Sequence, residues 1–158
     1  MKRVLWIAAL AAAVLFTPFE SRDAAKLLPV QTLCMYGQDG LCVLKTDNGL
    51  YGTGTDPAEA VADLENTAPG TVVLSTARQL VIADCGARYL HPLLALEVLH
   101  PGIALYAADG PVDPADAAAF LDRSGPGLSV SRYQASVLAG EDVVLPRLTG
   151  GEGRYSIL

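Results

Sequence analysis

The chain has 158 residues, of which 51% are hydrophobic and 18% charged. Setting aside an apolar N-terminus leaves about 135 residues, enough for one compact domain with a real core. A formal charge of −6, with 11 scattered Lys and Arg residues, makes a poor nucleic-acid binder and a surface that anionic lipid headgroups repel.

Lys2 and Arg3 lead into an unbroken apolar run from Val4 to Phe16, closed by Thr17 and Pro18. A basic start and a short Ala- and Leu-rich core form the pattern of an export signal. The run is shorter than the roughly 20 residues an ordinary spanning helix needs. No good small-x-small cleavage site follows it, so residues 1–19 read as an export signal or an N-terminal membrane anchor. A buried helix of a cytoplasmic protein fits less well, because the segment has no polar face at helical spacing. Residues 20–149 then form the domain, and 150–158 a flexible end.

Leu28 to Tyr36 and Leu41 to Thr46 read as strands of a hairpin joined at the Gly37–Gly40 turn. Cys34 and Cys42 flank this turn and could face each other across it. A disulfide is possible there outside the cytoplasm, and small buried hydrophobes are the other reading. Asp47, Asn48 and Gly49 make a second turn, and Leu50 to Thr55 a third strand. Asp56-Pro57-Ala58-Glu59 opens a helix, with Asp56 as N-cap, Pro57 in the first turn and Glu59 closing a capping box. Its inner face is read as Ala58, Val61, Ala62 and Glu65 with Leu64 beside them, and it stops before Pro69 and Gly70.

Val72 to Leu74 and Gln79 to Ala83 follow as apolar strands, the second suited to the centre of a sheet. Gly86 to Leu90 and Pro92 to Leu99 read as helical, with a stop at His100-Pro101-Gly102. Ile103 to Ala107 is a buried strand. Asp113-Pro114-Ala115-Asp116 repeats the helix-opening chemistry, which good helix starts share without common descent. Ala117, Phe120 and Leu121 are its buried stripe. Ser131 to Leu138 is a last helix stopped by Gly140, and Val143 to Leu148 a last strand. The expected fold is α/β or α+β: a single domain, a mixed sheet of about five to seven strands with an N-terminal hairpin, and packed helices.

Chemistry is sparse along the chain. His91 and His100 are the only histidines, both before a proline, and neither has a nucleophile and orienting acid at a recognisable spacing. No GxSxG elbow or HExxH is present, and Cys85 stands alone beside Gly86, so no catalytic residue or zinc set is assigned. Gly52-Thr53-Gly54 lies between a strand and a helix start, where phosphate can bind, but Asp56 already occupies that helix end. Asp109, Asp113 and Asp116 cluster around one helix start, as do Asp56, Glu59 and Asp63 around another. Helix capping accounts for both clusters, and the spacing of a calcium loop is missing. No cofactor is assigned either.

Residues 54–110 resemble the first domain of the Ger(x)C family, the C subunits of spore germinant receptors. Pro57-Ala58-Glu59-Ala60 with Leu64-Glu65 is similar to that family's "EAL…L" helix. Leu74 to Asp84 is similar to its "FxGHxxVIVIGE" strand, Leu93 to Pro101 to its "LLDFLLRDPE" helix, and Ile103 to Gly110 to its "xxVFVAEG" strand and turn. At the edges, Glu20 to Asp23 falls at "CWDRRE", and Gly140 to Leu148 is similar to "GxxxVLPRL". None of these motifs is specific alone; their order across residues 20–150 carries the resemblance.

Departures are equally plain. Phe19 stands where the family has its lipid-bearing Cys, Ser75-Thr76 replaces "GH", and Ala83-Asp84 replaces "GE". The family continues into further domains after "VLPRL", whereas this sequence ends at Leu158. The resemblance implies a non-enzymatic protein outside a cytoplasmic membrane, assembling with integral membrane receptor subunits. Two other classes stay open: a free-standing exported domain for an unknown small-molecule ligand, and an exported hydrolase that would depend on His91 or His100. A degenerate relative without a receptor role is a fourth.

Overall fold

The computed structural model describes residues 26–83, 86–124, 127–151 and 154–158. The export-signal reading of residues 1–19 lies outside them, as does Cys85. The fold is mixed α/β. Its main sheet runs β10-β9-β7-β6-β2-β3-β4, with β8 also paired to β7. These strands are β2 (Thr32–Gln38), β3 (Leu41–Thr46), β4 (Tyr51–Gly54), β6 (Gln79–Ala83), β7 (Ala104–Ala108), β8 (Leu128–Ser129), β9 (Arg147–Gly151) and β10 (Arg154–Ile157). That makes eight strands among the described residues where about five to seven were expected. A separate parallel pair joins β1 (Leu27–Pro29) to β5 (Thr71–Val73).

Strands β2, β6, β7 and β9 are mutually parallel, and the hairpins add antiparallel strands at both edges. Period-two alternation sorts the side chains to two faces. Leu33 and Met35, Leu80 and Ile82, and Leu105 point into one core, which helices α1 (Pro57–Thr67) and α2 (Ala87–Ala95) cover with Ala60, Leu64, Leu90 and Leu93. Cys34, Val81 and Tyr106 point into the other, against Ala117 and Leu121 of α3 (Pro114–Leu121). All five residues of β6 are buried, as a central strand covered on both faces requires.

Helix α1 starts as expected: Asp56 Oδ1 accepts from the Glu59 amide at 2.9 Å. Glu59 reaches back to the Thr55 amide, also at 2.9 Å, one residue before the cap. The buried side is Pro57, Ala60, Val61 and Leu64, so the expected inner face was set one residue off at Ala58 and Ala62. Asp113 likewise caps α3, accepting from Ala115 and Asp116. Pro92 does not divide the segment before β7: α2 is one helix with Pro92 inside, and it ends at Ala95 with Leu96 as C-cap where Leu99 was expected, because Glu97 at φ +54° leaves the helical region.

Three strand expectations are corrected. The first strand breaks at Val30 and Gln31, because Pro29 has no N–H to donate and the next amides turn elsewhere. Val30 N–H goes to Thr76 Oγ1, and the Gln31 and Thr32 amides both go to Asp47 Oδ1. The last strand begins at Arg147, not Val143, since residues 141–146 are irregular. Residues 150–158 include β10, which pairs with β9 across Thr149 and Ser156, where a flexible end was expected. Helix α4 (Val130–Leu138) is as expected, with Gly140 at φ +73° beyond it.

Contact between α1 and β4 is unusually close. A Cβ on Gly52 would collide with the Ala60 carbonyl oxygen, and one on Gly54 would lie 2.5 Å from the Ala60 nitrogen. Substituting Gly52→Ala should therefore lower stability by at least about 2 kcal/mol, since backbone cannot yield as a side chain can. Gly110→Ala, with nothing within 4 Å of the added carbon, should leave the urea midpoint unchanged or slightly raised. Equal midpoints for the two variants would contradict this account of the helix seat.

Candidate functional site

The positions weighed for chemistry in the sequence make structural contacts. His91 Nε2 lies 3.3 Å from the Tyr133 hydroxyl, tying α2 to α4. His100 Nδ1 accepts from the Gly102 amide at 3.0 Å and closes the turn before β7. The two histidines do not converge on a nucleophile. Asp63 Oδ2 accepts from the Thr53 amide at 2.8 Å, so the central amide of Gly52-Thr53-Gly54 is already bonded to a carboxylate. Asp109 pairs with Arg147, and Asp113 with Lys45 at 3.6 Å. Burial alone would raise the Asp113 carboxyl; the Asp116 and Ala115 amides and Lys45 outweigh it and hold the group below its ordinary value.

Cys34 and Cys42 are free thiols on opposite faces of the hairpin. Cys34 sits across from Lys45 and Cys42 from Gly37, so the two cysteines never oppose each other. Cys34 belongs to the α3 core and Cys42 to the α1/α2 core. Burial pushes the Cys34 thiol up to about 12, with Asp113 adding to it, and the Cys42 thiol up to about 11, with Asp56 adding to it. Neither is a nucleophile near neutral pH, because the thiolate is the reactive form.

The most developed polar arrangement lies at the amino ends of β2 and β6, in residues the sequence reading did not single out. Gln79 opens the central strand and is 6% exposed; Thr32 opens its neighbour and is fully buried. The Thr32 hydroxyl donates to Gln79 Oε1 at 2.6 Å, and Gln79 Nε2 donates to Asp122 Oδ1 at 3.2 Å. Gln31 Nε2 donates to the other Asp122 oxygen. Asp122 follows α3, so this relay joins two strands of the sheet to the end of a helix. Asp47, just after β3, accepts the Gln31 and Thr32 amides at 2.9 and 3.0 Å.

Around these groups opens a cleft of about 450 Å³, lined among others by Gln31, Asp47, Thr76, Arg78 and Asp122. Both Asp122 oxygens and one Asp47 oxygen are held by neutral N–H donors. The exposed Arg78 guanidinium lines the same cleft, and the ion pairs among the described residues are Lys45–Asp113 and Arg147–Asp109. The Arg78 backbone is fixed on both sides: its amide donates to Gln31 O and its carbonyl accepts from Ala104, each at 2.8 Å. The cleft thus presents positive and negative charge on one wall system with no ion pair between Arg78 and either carboxylate among the described residues. One sequence signal could have pointed here, the polar Gln79 heading an otherwise apolar central strand. Among the described residues, no three His, Cys, Asp or Glu side chains converge as a metal site would require.

Comparison with family models, curated proteins and solved structures finds no match to this chain.

Two outcomes test this geometry. Gln79→Leu leaves the buried Thr32 hydroxyl without its acceptor and should cost about 1–3 kcal/mol. Adding Thr32→Val should recover part of that loss, and strict additivity of the two substitutions would show that they do not interact. For the thiols, the folded protein holds its protons to higher pH than the unfolded chain. Their contribution is complete below the ordinary value of 9.0 and is lost as pH rises toward about 12. Urea midpoints should therefore fall progressively on the alkaline side, and in a Cys85→Ser background thiol labelling at neutral pH should wait for unfolding.

Proposed function

We propose that the chain is a non-enzymatic, membrane-associated module outside the cytoplasmic membrane that works by assembling with integral membrane subunits. It is read as akin to the first domain of germinant-receptor C subunits. The observation that carries this reading is the surface around α4. That helix buries Val130 and leaves Val137 at 40% and Leu138 at 88% exposed; Val144, shortly after, is also 88% exposed. Three of the seven large apolar side chains exposed among the described residues thus fall in one short stretch. Contiguous exposed apolar surface is the usual mark of a protein contact, and this stretch is where the described residues offer it.

Further support comes from chain order, in which a helix, a central strand, a helix and a strand follow one another across residues 54–110, although the second helix ends at Ala95 and covers only the start of the Leu93–Pro101 passage. In the matching "VLPRL" passage, Arg147 and Leu148 enter the sheet in β9, and Leu148 is buried. Among the described residues no helix is long and apolar enough to cross a membrane. Membrane association in this proposal therefore rests on the N-terminal segment or on the partner.

A second reading, a domain for a small ligand, is favoured by the charged cleft at the amino ends of β2 and β6. The two readings use different surfaces and are separable by mutation.

Tagged chain crosslinked in membranes of its own host should bring down a polytopic membrane protein. Leu138→Asp combined with Val137→Asp should cut that recovery about tenfold, equivalent to losing about 1.4 kcal/mol of binding. The urea midpoint should move little, because both side chains already face solvent. Recovery of the chain alone, or undiminished recovery of the partner with the double variant, would end the assembly proposal.

A further inference from the structure

We infer that the cleft at the amino ends of β2 and β6 binds a small zwitterion, a molecule carrying an ammonium and a carboxylate on one short carbon frame. The inference rests on the ligand-binding reading of this cleft and not on assembly through α4. Its basis is a pattern of charges that the fold separates. Two carboxylates, Asp47 and Asp122, line the cleft together with Arg78. An arginine among carboxylates ordinarily collapses onto one of them in a bidentate pair. Here the carboxylates are engaged from other directions, Asp122 by the Gln31 and Gln79 amides and Asp47 by two backbone amides.

The Gln79 engagement is anchored in the core. Gln79 is buried and is itself oriented by the fully buried Thr32 hydroxyl, so Asp122 cannot swing toward Arg78 without breaking a buried relay. Arg78 starts from backbone pinned between Gln31, just before β2, and Ala104 of β7, so the origin of its side chain is fixed at the cleft wall. A guanidinium kept apart from preoriented carboxylates offers one pole for a ligand carboxylate and another for an ammonium. A ligand carrying both charges satisfies both poles at once. One carrying a single charge leaves the other pole hydrated and gains less. Neutral N–H donors on Asp47 and Asp122 hold the oxygens in place without cancelling their charge, which preserves their attraction for a cation. The cleft volume of about 450 Å³ accommodates a molecule of amino-acid size with water around it.

The test is titration of the full-length, ¹⁵N-labelled chain in detergent, followed by amide NMR. Glycine, β-alanine and γ-aminobutyrate are the zwitterionic probes, with propylamine and propionate as single-charge controls. At least one zwitterion should shift the backbone amides of Gln31 and Thr32 and the side-chain amide of Gln79 saturably in the millimolar range or below. The single-charge controls should fail to saturate over that range. Arg78→Gln and Asp122→Asn should each weaken binding at least about tenfold. Unchanged resonances for Ile82 and Leu105 would show that the core of each variant is folded, and Leu138→Asp should bind the probe as the parent chain does. Saturation by propylamine as tight as by any zwitterion, or binding indifferent to Arg78→Gln, would overturn the zwitterion inference while leaving a cleft that binds cations. Absence of any saturable shift from all five probes would overturn the inference and the ligand-binding reading together.

Discussion

Burying Gln79 at the head of the central strand obliges the fold to supply a partner for each end of its amide. An unmet amide in that position would cost a few kcal/mol, a large fraction of the stability of a domain this size. Thr32 meets the oxygen from β2 and Asp122 meets the nitrogen from the end of α3. Those two bonds join neighbouring parallel strands and place α3 against the second face of the sheet, where Ala117 and Leu121 seal Cys34, Val81 and Tyr106. An apolar residue at position 79 could fill the volume, but it could not hold Asp122 in one orientation. Polar burial here specifies geometry at a place where hydrophobic contact alone would leave it loose.

The same economy governs the sheet edge at β4. Backbone groups at this edge are met by α1: the Thr53 amide by Asp63, and the Thr55 amide, just past the strand, by Glu59. Positions 59 and 63 lie four residues apart, so one helix stripe runs beside one strand edge. This ladder needs the close approach that Gly52 and Gly54 permit. An edge capped in this way cannot template another strand. The acidic cluster of Asp56, Glu59 and Asp63, which in sequence resembles an ion site, is the device that closes the sheet.

Legibility in the sequence followed the range of the interaction. Both Asp-Pro helix starts, the β3 and β6 boundaries and the mixed α/β class were readable, because capping and hydrophobic periodicity act over a few residues. The break at Val30 and Gln31 was not, since it depends on Asp47 and Thr76 reaching those amides from distant parts of the chain. Nor was the β9–β10 hairpin, whose glycine-rich composition reads as a loose end until β7 offers Ala107 and Ala108 as pairing partners. Of the two readings open for Cys34 and Cys42, opposition failed on parity, because the Asp39–Gly40 turn sets a register in which they alternate faces, and both are instead small buried residues on strands. The cleft was invisible for the same reason as the break, as its members come from four separate stretches of chain.

Once helix caps, edge ladder and buried relay are accounted for, the features that folding does not require stand out. Arg78 contributes no described contact through its side chain, and Val137 and Leu138 face solvent from a helix anchored mainly by Val130 and the half-buried Tyr133. Neither feature stabilises the domain by the ordinary means of burial or pairing. The cleft also lies at the amino ends of the parallel strands, whereas open α/β sheets generally place ligands beyond the carboxyl ends. What makes this end suitable is the irregular backbone of Val30 and Gln31, which opens the wall between β1 and β2 and turns its amides onto Asp47. The break that interrupts the first strand is therefore the same feature that creates the cleft. In this chain, departure from regular pairing and concentration of unneutralised charge have a single structural origin.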